Sequence, residues 1–392
     1  MKVVTILGTR PEIIRLARVL DALDRSIDHV LVHTGQNYDH GLNGIFFEEL
    51  ELRAPDHYLA VDTGSLGRVL GETLIKTEAV LREERPDAVL ILGDTNSSIA
   101  AVIARRMHIP VFHMEAGNRC FDGNVPEEAN RRLVDHTADY NLVYTEHARR
   151  NLLSEGISPQ RVVLTGSPLR EVLDHYAPGI AASEVLDAVG VSAGGYFLVS
   201  AHREENVDEA ERLSSLLAAL DELARSYELP VLVSTHPRTR KRIDSLGWQA
   251  DPRVRFHEPF GFFDYVRLQQ LAKCVLSDSG TISEESAMLG FPAVTLRDAI
   301  ERPESVDAGG ILLTGVREDA VLAGVRLVLE EWDAGVRAQS PPEYTVANTS
   351  SIVVRTILSM APTHHRRNAL RVRGLTSEAP GVTCAPGLSG PA

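Results

Sequence analysis

The sequence predicts an α/β protein with two Rossmann-like, doubly wound domains that face a central cleft. Short runs rich in β-branched residues alternate with longer segments of helical periodicity, which is typical of parallel sheets covered by helices on both faces. The alternation occurs twice, on either side of a stretch at 167–195 that contains several Pro and Gly residues and no clear strand. The chain has 392 residues, and a single core rarely extends beyond about 250–300 residues, so two domains are expected.

The first half of the chain contains six strand candidates and five helix candidates in alternating order. The strand candidates are Val3–Leu7, Asp28–His33, Ala88–Leu92, Val111–Met114, Tyr140–Val143 and Arg161–Leu164. The helix candidates are Glu12–Leu23, Leu66–Glu84, Ser97–Met107, Glu127–Ala138 and Glu146–Ser154. This order predicts one parallel sheet with helices on both faces.

The second half repeats this architecture. Its strand candidates are Tyr196–Ser200, Pro230–Ser234, Val254–His257, Cys274–Ser277, Ala293–Thr295 and Ile311–Leu313. Its helix candidates are Asp208–Ser226, Tyr265–Leu271 and Thr281–Leu289. The predicted domains are therefore residues 1–168 and 169–365, and the segment 366–392, rich in Gly, Pro and Ser, is predicted to be disordered.

Composition excludes several classes of partner. The formal net charge of −14 argues against a nucleic-acid groove or an anionic membrane surface as the main partner, because such surfaces need a basic stripe. No apolar run approaches the roughly 20 residues that a membrane-spanning helix needs. The N-terminus is typical of a first strand and not of a signal peptide. The three cysteines, Cys120, Cys274 and Cys384, suit neither a disulfide framework nor a zinc site, so we expect a cytoplasmic protein.

Two turns in the first half follow strand candidates and are candidate ligand sites. GTRPE at 8–12 places Arg10 and free backbone N–H groups at the start of a helix, where a phosphate can bind. LGDTNSS at 92–98 places Asp94 at the next such turn. Each turn has a plainer interpretation, since Gly-Pro turns are common and Asp, Thr and Ser often serve as helix caps.

The segment HMEAGNRCFDGNVPEEANRR at 113–132 combines carboxylates and guanidiniums. Glu115 follows a strand candidate, and a purely structural interpretation is less favoured for a carboxylate at a buried strand end. Pro126 starts a helix with the i,i+4 pairs Glu127–Arg131 and Glu128–Arg132. On spacing alone, Glu128 and Arg132 are predicted to form a surface pair.

The second half carries candidate anion contacts at equivalent strand ends. His202 with Arg203, and His236 with Arg238, each follow a strand candidate, although a lone His is more often structural than catalytic. The segment LSDSGTISEES at 276–286 leads from a strand into a helix whose N–H groups suit a pyrophosphate, with Ser279 or Thr281 as an ordinary cap in the alternative interpretation. Glu285, about one turn inside, is placed to accept hydrogen bonds from vicinal hydroxyls, and Arg302 in ERPES is a further anion contact.

In this order, GTRPE, GDTNSS, HMEAGNR, PEEANRR, the His202 and His236 segments, SDSGTISEES and ERPE resemble the non-hydrolysing UDP-N-acetylglucosamine 2-epimerase family. The resemblance covers roughly residues 1–360 and implies the two-domain fold of the GT-B glycosyltransferases. Within the family, four features are similar to the branch that converts UDP-2-acetamido-2,6-dideoxy-L-talose to UDP-N-acetyl-L-fucosamine: HTGQNYDHGLNGIFFEEL at 33–50, HMEAGNRCFD with VPEEANR, SAHREENVD and PFGFFDYVRLQ. The alternative within the family is an enzyme that interconverts UDP-GlcNAc and UDP-ManNAc.

The resemblance assigns a role to each candidate residue. The catalytic residues it implies are Asp94, Glu115, Glu127 and His202. The UDP contacts it implies, together with those expected from position, are Arg10, His236, Arg238, Tyr265, Ser279, Gly280, Thr281, Glu285 and Arg302. Arg119 and Arg131 are expected in the sugar pocket. The resemblance also implies a homodimer.

The chemistry of such a reaction needs two proton-transfer groups and no cofactor or metal. The C2 proton of a 2-acetamido sugar is not alpha to a carbonyl, so loss of UDP from C1 must supply the electron demand. Glu115 and Glu127 are plausible for proton transfer on opposite ring faces, and we expect crowding with Asp94 to raise the pKa of at least one of these carboxyls. A GT-B glycosyltransferase, a hydrolysing epimerase and a non-catalytic UDP-sugar sensor are rival predictions from the same motifs.

Overall fold

Two parallel sheets form the framework of the molecule. The computed structural model describes residues 1–36, 40–368 and 370. Within these ranges the first sheet has seven strands in the order β3-β2-β1-β4-β5-β6-β7, and the second has six in the order β10-β9-β8-β11-β12-β13. Every strand pair in both sheets is parallel. The predicted fold class is confirmed.

The strands match the apolar runs of the sequence closely. The strands of the first sheet are β1 Lys2–Leu7, β2 Asp28–His33, β3 His57–Tyr58, β4 Ala88–Leu92, β5 Val111–Met114, β6 Tyr140–Val143 and β7 Val162–Leu164. The strands of the second sheet are β8 Phe197–Ser200, β9 Val231–Ser234, β10 Val254–His257, β11 Cys274–Ser277, β12 Ala293–Thr295 and β13 Leu312–Leu313. All twelve predicted strands are confirmed to within one residue at either end. The two-residue strand β3 carries too short a pattern to predict.

The helices cover both faces of each sheet. Those up to the middle of the chain are α1 Arg10–Ser26, α2 His40–Glu49, α3 Leu66–Glu84, α4 Ala100–Arg106, α5 Pro126–Thr137, α6 Glu146–Ser154, α7 Leu169–Ala181 and α8 Val185–Val189. The later ones are α9 Glu204–Val207, α10 Ala210–Tyr227, α11 Pro237–Leu246, α12 Phe262–Leu271, α13 Ile282–Leu289, α14 Pro303–Asp307, α15 Glu318–Asp333, α16 Thr349–Met360 and α17 His364–Arg367. In the described ranges, none is long and apolar enough to cross a membrane.

The stretch predicted to join the halves is largely helical. Helix α7 continues through Pro178 and Gly179, and it packs against α1 and α12. A Cβ on Gly179 would lie 2.9 Å from the Phe263 ring, so glycine allows α12 to approach closely here. Pro178 and Gly179, two of the residues that mark the predicted boundary stretch, therefore lie near the end of a packed helix.

Helices α7 and α16 share the core of the first sheet, although both follow the predicted boundary at 168/169. Leu173 of α7 and Val353 and Ile357 of α16 belong to the same apolar cluster as Leu16 and Leu20 of α1. The chain thus leaves the first sheet, builds the second and returns. The domain ranges 1–168 and 169–365 stay a prediction. Helices α7 and α16, which fall in the second of these ranges, pack in the core of the first sheet. Residues 369 and 371–392 of the predicted disordered tail lie outside the described residues.

Candidate active site

The functional residues meet in a pocket between the two sheets. Strands β1, β4 and β5 are neighbours in the first sheet, and β8, β9 and β11 are neighbours in the second, so the turns after them lie together. The carboxyl edge of such a sheet is where α/β folds bind ligands. The predicted residues that line the pocket are Arg10, Asp94, Glu115, Glu127, Arg131, His202, Tyr265, Ser279, Gly280, Thr281, Glu285 and Arg302.

Asp94 and Arg131 form a fixed pair on the first-half wall. Asp94 follows β4, and its carboxylate accepts a hydrogen bond from Arg131 Nε at 2.9 Å. Arg131 Nη1 donates to Glu128 Oε2 at 2.6 Å. Because the guanidinium is held from two sides, its remaining surface faces the pocket in a defined orientation.

Glu115 lies between two arginines. It follows β5 with a φ of 63°, in the left-handed region that side-chain-bearing residues seldom adopt. One carboxylate oxygen contacts Arg15 Nη1, and the other accepts from Arg302 Nη2 at 2.7 Å. Burial raises the pKa of this carboxyl, but the charges of Arg15 and Arg302 outweigh burial and leave the pKa below its ordinary value.

Glu127 lies in the first turn of α5 and has the opposite shift. Burial raises the pKa of its carboxyl and a hydrogen bond from its own backbone N–H lowers it, while the negative charge of Asp94 raises it further against smaller lowering by Arg203 and Arg131. The sequence predicts that crowding with Asp94 raises one carboxyl pKa. The direction is confirmed, and burial is the larger cause. Within the described residues, the structure shows no ion pair to this carboxylate.

The predicted pairing along α5 is wrong in two respects. Arg131 pairs with Asp94 and Glu128 and not with Glu127. Glu128 is not on the surface: it is only 6% exposed, and its carboxylate also accepts from the Cys120 backbone N–H at 3.2 Å. The i,i+4 pair Glu128–Arg132 is present. Spacing alone could not show that the loop at 118–125 folds over Glu128 and buries it.

His202 faces the pocket from the second half. Its backbone N–H and that of Arg203 donate to Asp278, which fixes the turn after β8. The side chain is 44% exposed, with Nδ1 lying 3.3 Å from Asp278 Oδ1. Removal from bulk water lowers the pKa of the imidazole, and Arg10 and Arg203 lower it further, whereas Asp278 acts in the opposite direction. The imidazole thus lies near Arg10 and Arg203 at the pocket, a setting that suits an approaching anion.

The turn before α13 forms the opposite wall. Ser279 Oγ accepts from the Thr281 backbone N–H at 3.3 Å, and Arg302 Nη1 donates to the Gly280 carbonyl at 2.8 Å. A Cβ on Gly280 would lie 3.2 Å from Arg302 Nη1, so glycine leaves this wall open. Thr281 occupies the N-cap position of α13 without a side-chain cap hydrogen bond, which leaves helical N–H groups for an anion.

Arg10, Tyr265 and Glu285 extend the pocket beyond this turn. The Arg10 guanidinium lies 5.4 Å from the centroid of the Phe46 ring, and burial lowers its pKa. Burial raises the pKa of the Tyr265 hydroxyl and of the Glu285 carboxyl. Gln269 Nε2 donates to Glu285 at 2.6 Å and orients it. This end combines an aromatic ring with a carboxylate acceptor.

Three predicted site residues lie outside the pocket wall. Arg119 is 1% exposed and pairs with Asp135 at 2.7 Å and Glu155 at 2.6 Å, so it holds the loop in place and does not line the pocket. His236 caps α11, where its Nδ1 accepts from the Arg238 backbone N–H. The Arg238 side chain pairs with Glu204 and Asp208 on the surface. For these three residues, a position near a strand end did not predict whether the side chain would point into the pocket.

Four charged residues of the site were not among the predicted functional residues. Glu12, Arg15 and Glu301 line the pocket, and Glu284 lies directly behind it. Arg203, which the sequence places beside His202 as a candidate anion contact, also lines the pocket. Burial alone would raise the pKa of the Glu301 carboxyl, but hydrogen bonds from Arg297 and the charges of Arg297, Arg203 and Arg131 lower it. The sequence offers one indication of such residues: a charged side chain at a helix position where the periodicity calls for an apolar one, as for Arg15 between Ile14 and Leu16 of α1.

Comparison with known proteins assigns the chain to a family. A family model described as UDP-N-acetylglucosamine 2-epimerase matches residues 21–358. The chain belongs to this family. As in the other members, it is an epimerase enzyme with two parallel-sheet α/β domains, the GT-B-like arrangement.

Relatives from several organisms are similar over most of their length. The UDP-N-acetylglucosamine 2-epimerase of Methanocaldococcus jannaschii is 38% identical over 84% of this chain and 93% of its own. The UDP-2,3-diacetamido-2,3-dideoxy-D-glucuronate 2-epimerase of Pseudomonas aeruginosa is 35% identical over 84% of this chain and 92% of its own. A solved UDP-N-acetylglucosamine 2-epimerase from Rickettsia bellii is 43% identical, with a TM-score of 0.88 over 95% of this chain and 100% of that one. The relatives thus carry the names of epimerases that act on different sugars.

Proposed function

We propose that this epimerase inverts C2 of a UDP-2-acetamido sugar by eliminating and re-adding UDP, without net hydrolysis. The observation that carries the proposal is the pair Glu115 and Glu127 in one pocket. Their carboxyls have pKa values displaced in opposite directions. Two carboxyl groups whose surroundings displace their pKa values in opposite directions are what a paired base and acid require.

The reaction needs both a base and an acid because C2 carries an unactivated proton. In the elimination, the C2–H and C1–O bonds break, a C1=C2 bond forms, and UDP leaves with the electron pair of the C1–O bond. In the addition, a proton reaches C2 from the opposite ring face and UDP bonds again to C1. The sum is inversion at C2, with no water consumed.

The two carboxyls supply the proton transfers in this proposal. Ionised Glu115 removes the proton in one direction, and protonated Glu127 delivers one to the other face; in the reverse direction the roles exchange. Asp94 orients Arg131, which lies along the sugar pocket.

The second wall holds the departing diphosphate. The N-terminus of α13 at Ser279–Thr281, with Arg10, Arg302 and His202, stabilises the anion. Tyr265 and Glu285 serve the nucleoside end, with Glu285 accepting from the ribose hydroxyls. His236 and Arg238, which lie outside the pocket wall in this conformation, remain predicted UDP contacts.

For the sugar, we propose UDP-2-acetamido-2,6-dideoxy-L-talose, converted to UDP-N-acetyl-L-fucosamine. The support is the sequence of the first-half loops, HMEAGNRCFD with VPEEANR, where UDP-GlcNAc enzymes more usually carry EAGLRT. The chain departs from that branch at Ile300 and at Ser305-Val306-Asp307, where the branch has a His and Gly-Met-Asp. The candidate alternative is UDP-GlcNAc and UDP-ManNAc, since a Methanocaldococcus jannaschii relative 35% identical was solved in complex with UDP-GlcNAc and UDP.

The test is incubation of the purified full-length protein with a panel of UDP-HexNAc and 6-deoxy derivatives in deuterated water, followed by NMR. We expect deuterium at C2 and both C2 epimers for the true substrate, with UDP still attached. Absence of C2 deuterium from every panel member would refute the proposal. Conversion of UDP-GlcNAc in preference to the 6-deoxy sugars would refute only the substrate assignment.

A glycosyltransferase is the rival function that the fold admits. The glycotransferase of kitacinnamycin, only 13% identical, has the same fold with a TM-score of 0.55. A transferase needs an acceptor and does not exchange the C2 hydrogen. The deuterium experiment therefore separates the two reactions. The homodimer and the cytoplasmic location stay predictions.

A further inference from the structure

Four buried charges form a closed ring across the cleft. Arg15 of α1 and Glu115 after β5 belong to the first half, whereas Glu284 of α13 and Arg302 belong to the second. Arg15 contacts both Glu115 and Glu284, at 3.1 Å from the latter, and Arg302 lies 2.7 Å from Glu115 and 3.1 Å from Glu284. Two guanidiniums and two carboxylates alternate, so the ring is electrically neutral.

Glu284 is the member of the ring that does not line the pocket. It is 0% exposed, and its Oε2 receives both arginines. Its Oε1 has no hydrogen-bond partner among the described residues, nor has the hydroxyl of the neighbouring buried Tyr144. A carboxylate in this position meets the two halves of the molecule but no substrate.

We propose that Glu284 is a positioning residue whose carboxylate joins Arg15 and Arg302 into a latch that holds the cleft closed while UDP is detached from the sugar. The inference rests on the proposed elimination and addition of UDP. Without a closed cleft, the separated UDP and the unsaturated sugar can each diffuse away before they recombine.

The latch acts through charge and orientation together. Arg15 and Arg302 face Glu115 and Glu284, with Arg131, Glu301, Tyr144 and Tyr344 in the surroundings. Removing the Glu284 charge leaves two buried guanidiniums with one shared carboxylate, which is unfavourable in a water-poor interior. Separation of the halves relieves this repulsion by admitting water, so the open state is favoured.

The experiment compares Glu284→Gln with the wild type in the full-length protein. The panel member that the wild type epimerises is the probe, and free UDP and unsaturated sugar are counted against C2-epimerised product. We expect the ratio of leaked UDP to epimerised product to rise by roughly tenfold, since the charge that assists the two arginine contacts of Glu284 is lost. Glu284→Asp, which retains the charge, should restore part of the wild-type ratio.

Glu304→Gln is the matched control, because Glu304 is also a buried glutamate of the second half but receives its hydrogen bond from Tyr344 at 2.7 Å. A purely structural role of Glu284 lowers elimination and epimerisation together and leaves the ratio unchanged, which would overturn the inference. If Glu284→Gln does not fold, Glu284→Asp carries the test, because it keeps the charge but draws the carboxylate back from the two arginines, and its ratio should lie above that of the wild type. Failure of the wild type to place deuterium at C2 would instead refute the proposed reaction itself.

Discussion

The Glu127 carboxyl holds a proton more readily than that of Glu115, because burial and Asp94 raise its pKa. We therefore expect Glu127→Gln to lower kcat by about 10²–10⁴-fold, the usual contribution of one acid–base group. Steady-state kinetics and C2 deuterium exchange measure the effect. Glu318→Gln, an exposed glutamate in the first turn of α15, is the matched control and should have normal turnover. Near-normal turnover of Glu127→Gln would remove Glu127 from the mechanism.

A second residue-scale prediction concerns pH. Asp94 raises the pKa of Glu127, and Arg131, paired with Asp94, lowers it. Asp94→Asn removes the negative charge and leaves Arg131 less neutralised, so both changes lower the pKa of Glu127. In the direction where Glu127 must be protonated, kcat/KM falls as pH rises through this pKa, and the fall should occur at lower pH in the variant. In the opposite direction the rise shifts to lower pH as well.

The pH profile of kcat/KM in both directions checks this sign. Asp122→Asn, in the loop before α5, is the control, since the Asp122 carboxylate accepts hydrogen bonds from Asn124 within that loop. A profile that keeps its position while activity falls would show that Asp94 acts only by orienting Arg131.

The sequence identified the residues that follow strands better than those held by partners from distant segments. Asp94, Glu115 and Glu127 follow strands or begin a helix, and these positions can be read from apolar runs. Arg15 and Glu284 are 269 positions apart in the chain. Their contact depends on how the two halves close, which local patterns do not encode. The buried state of Arg119 was missed because its partners Asp135 and Glu155 lie 16 and 36 positions along the chain, beyond the reach of a local pattern.

At the scale of elements, α16 completes the core of the first sheet. Ile357 is fully buried in the cluster that contains α1, whereas the adjacent Leu358 is 43% exposed. We expect Ile357→Ala to lower the free energy of unfolding by about 2–5 kcal/mol, because it leaves a cavity. Leu358→Ala, the matched control, should change it by about 0.5 kcal/mol or less.

Urea denaturation followed by circular dichroism measures both variants. Equal effects would show that α16 does not pack on α1 in solution.

Helix α16 was not predicted as an element, although its apolar residues are present in the sequence. The strands were predictable because buried parallel strands are continuous apolar runs, whereas the partner of a returning helix depends on the path of the whole chain.

At the scale of the whole molecule, the two walls of the cleft have separate tasks. In the proposed function, the first half supplies the carboxyls, and the turn before α13 supplies the anion site. UDP should therefore stabilise the protein whether or not proton transfer is intact. At 100 times its Kd, UDP is expected to add about 2.7 kcal/mol to the free energy of unfolding, as any ligand of the native state does.

Thermal unfolding with a UDP titration tests this division. We expect the wild type and Glu127→Gln to be stabilised alike at equal UDP. Gly280→Ala should need more UDP for the same effect, because its Cβ would lie 3.2 Å from Arg302 Nη1 and narrow the anion site. Gly67→Ala, whose Cβ would meet no atom within 4 Å, is the matched glycine control and should behave as the wild type. If Glu127→Gln loses the UDP effect, Glu127 supports the nucleotide site and the two walls are not independent.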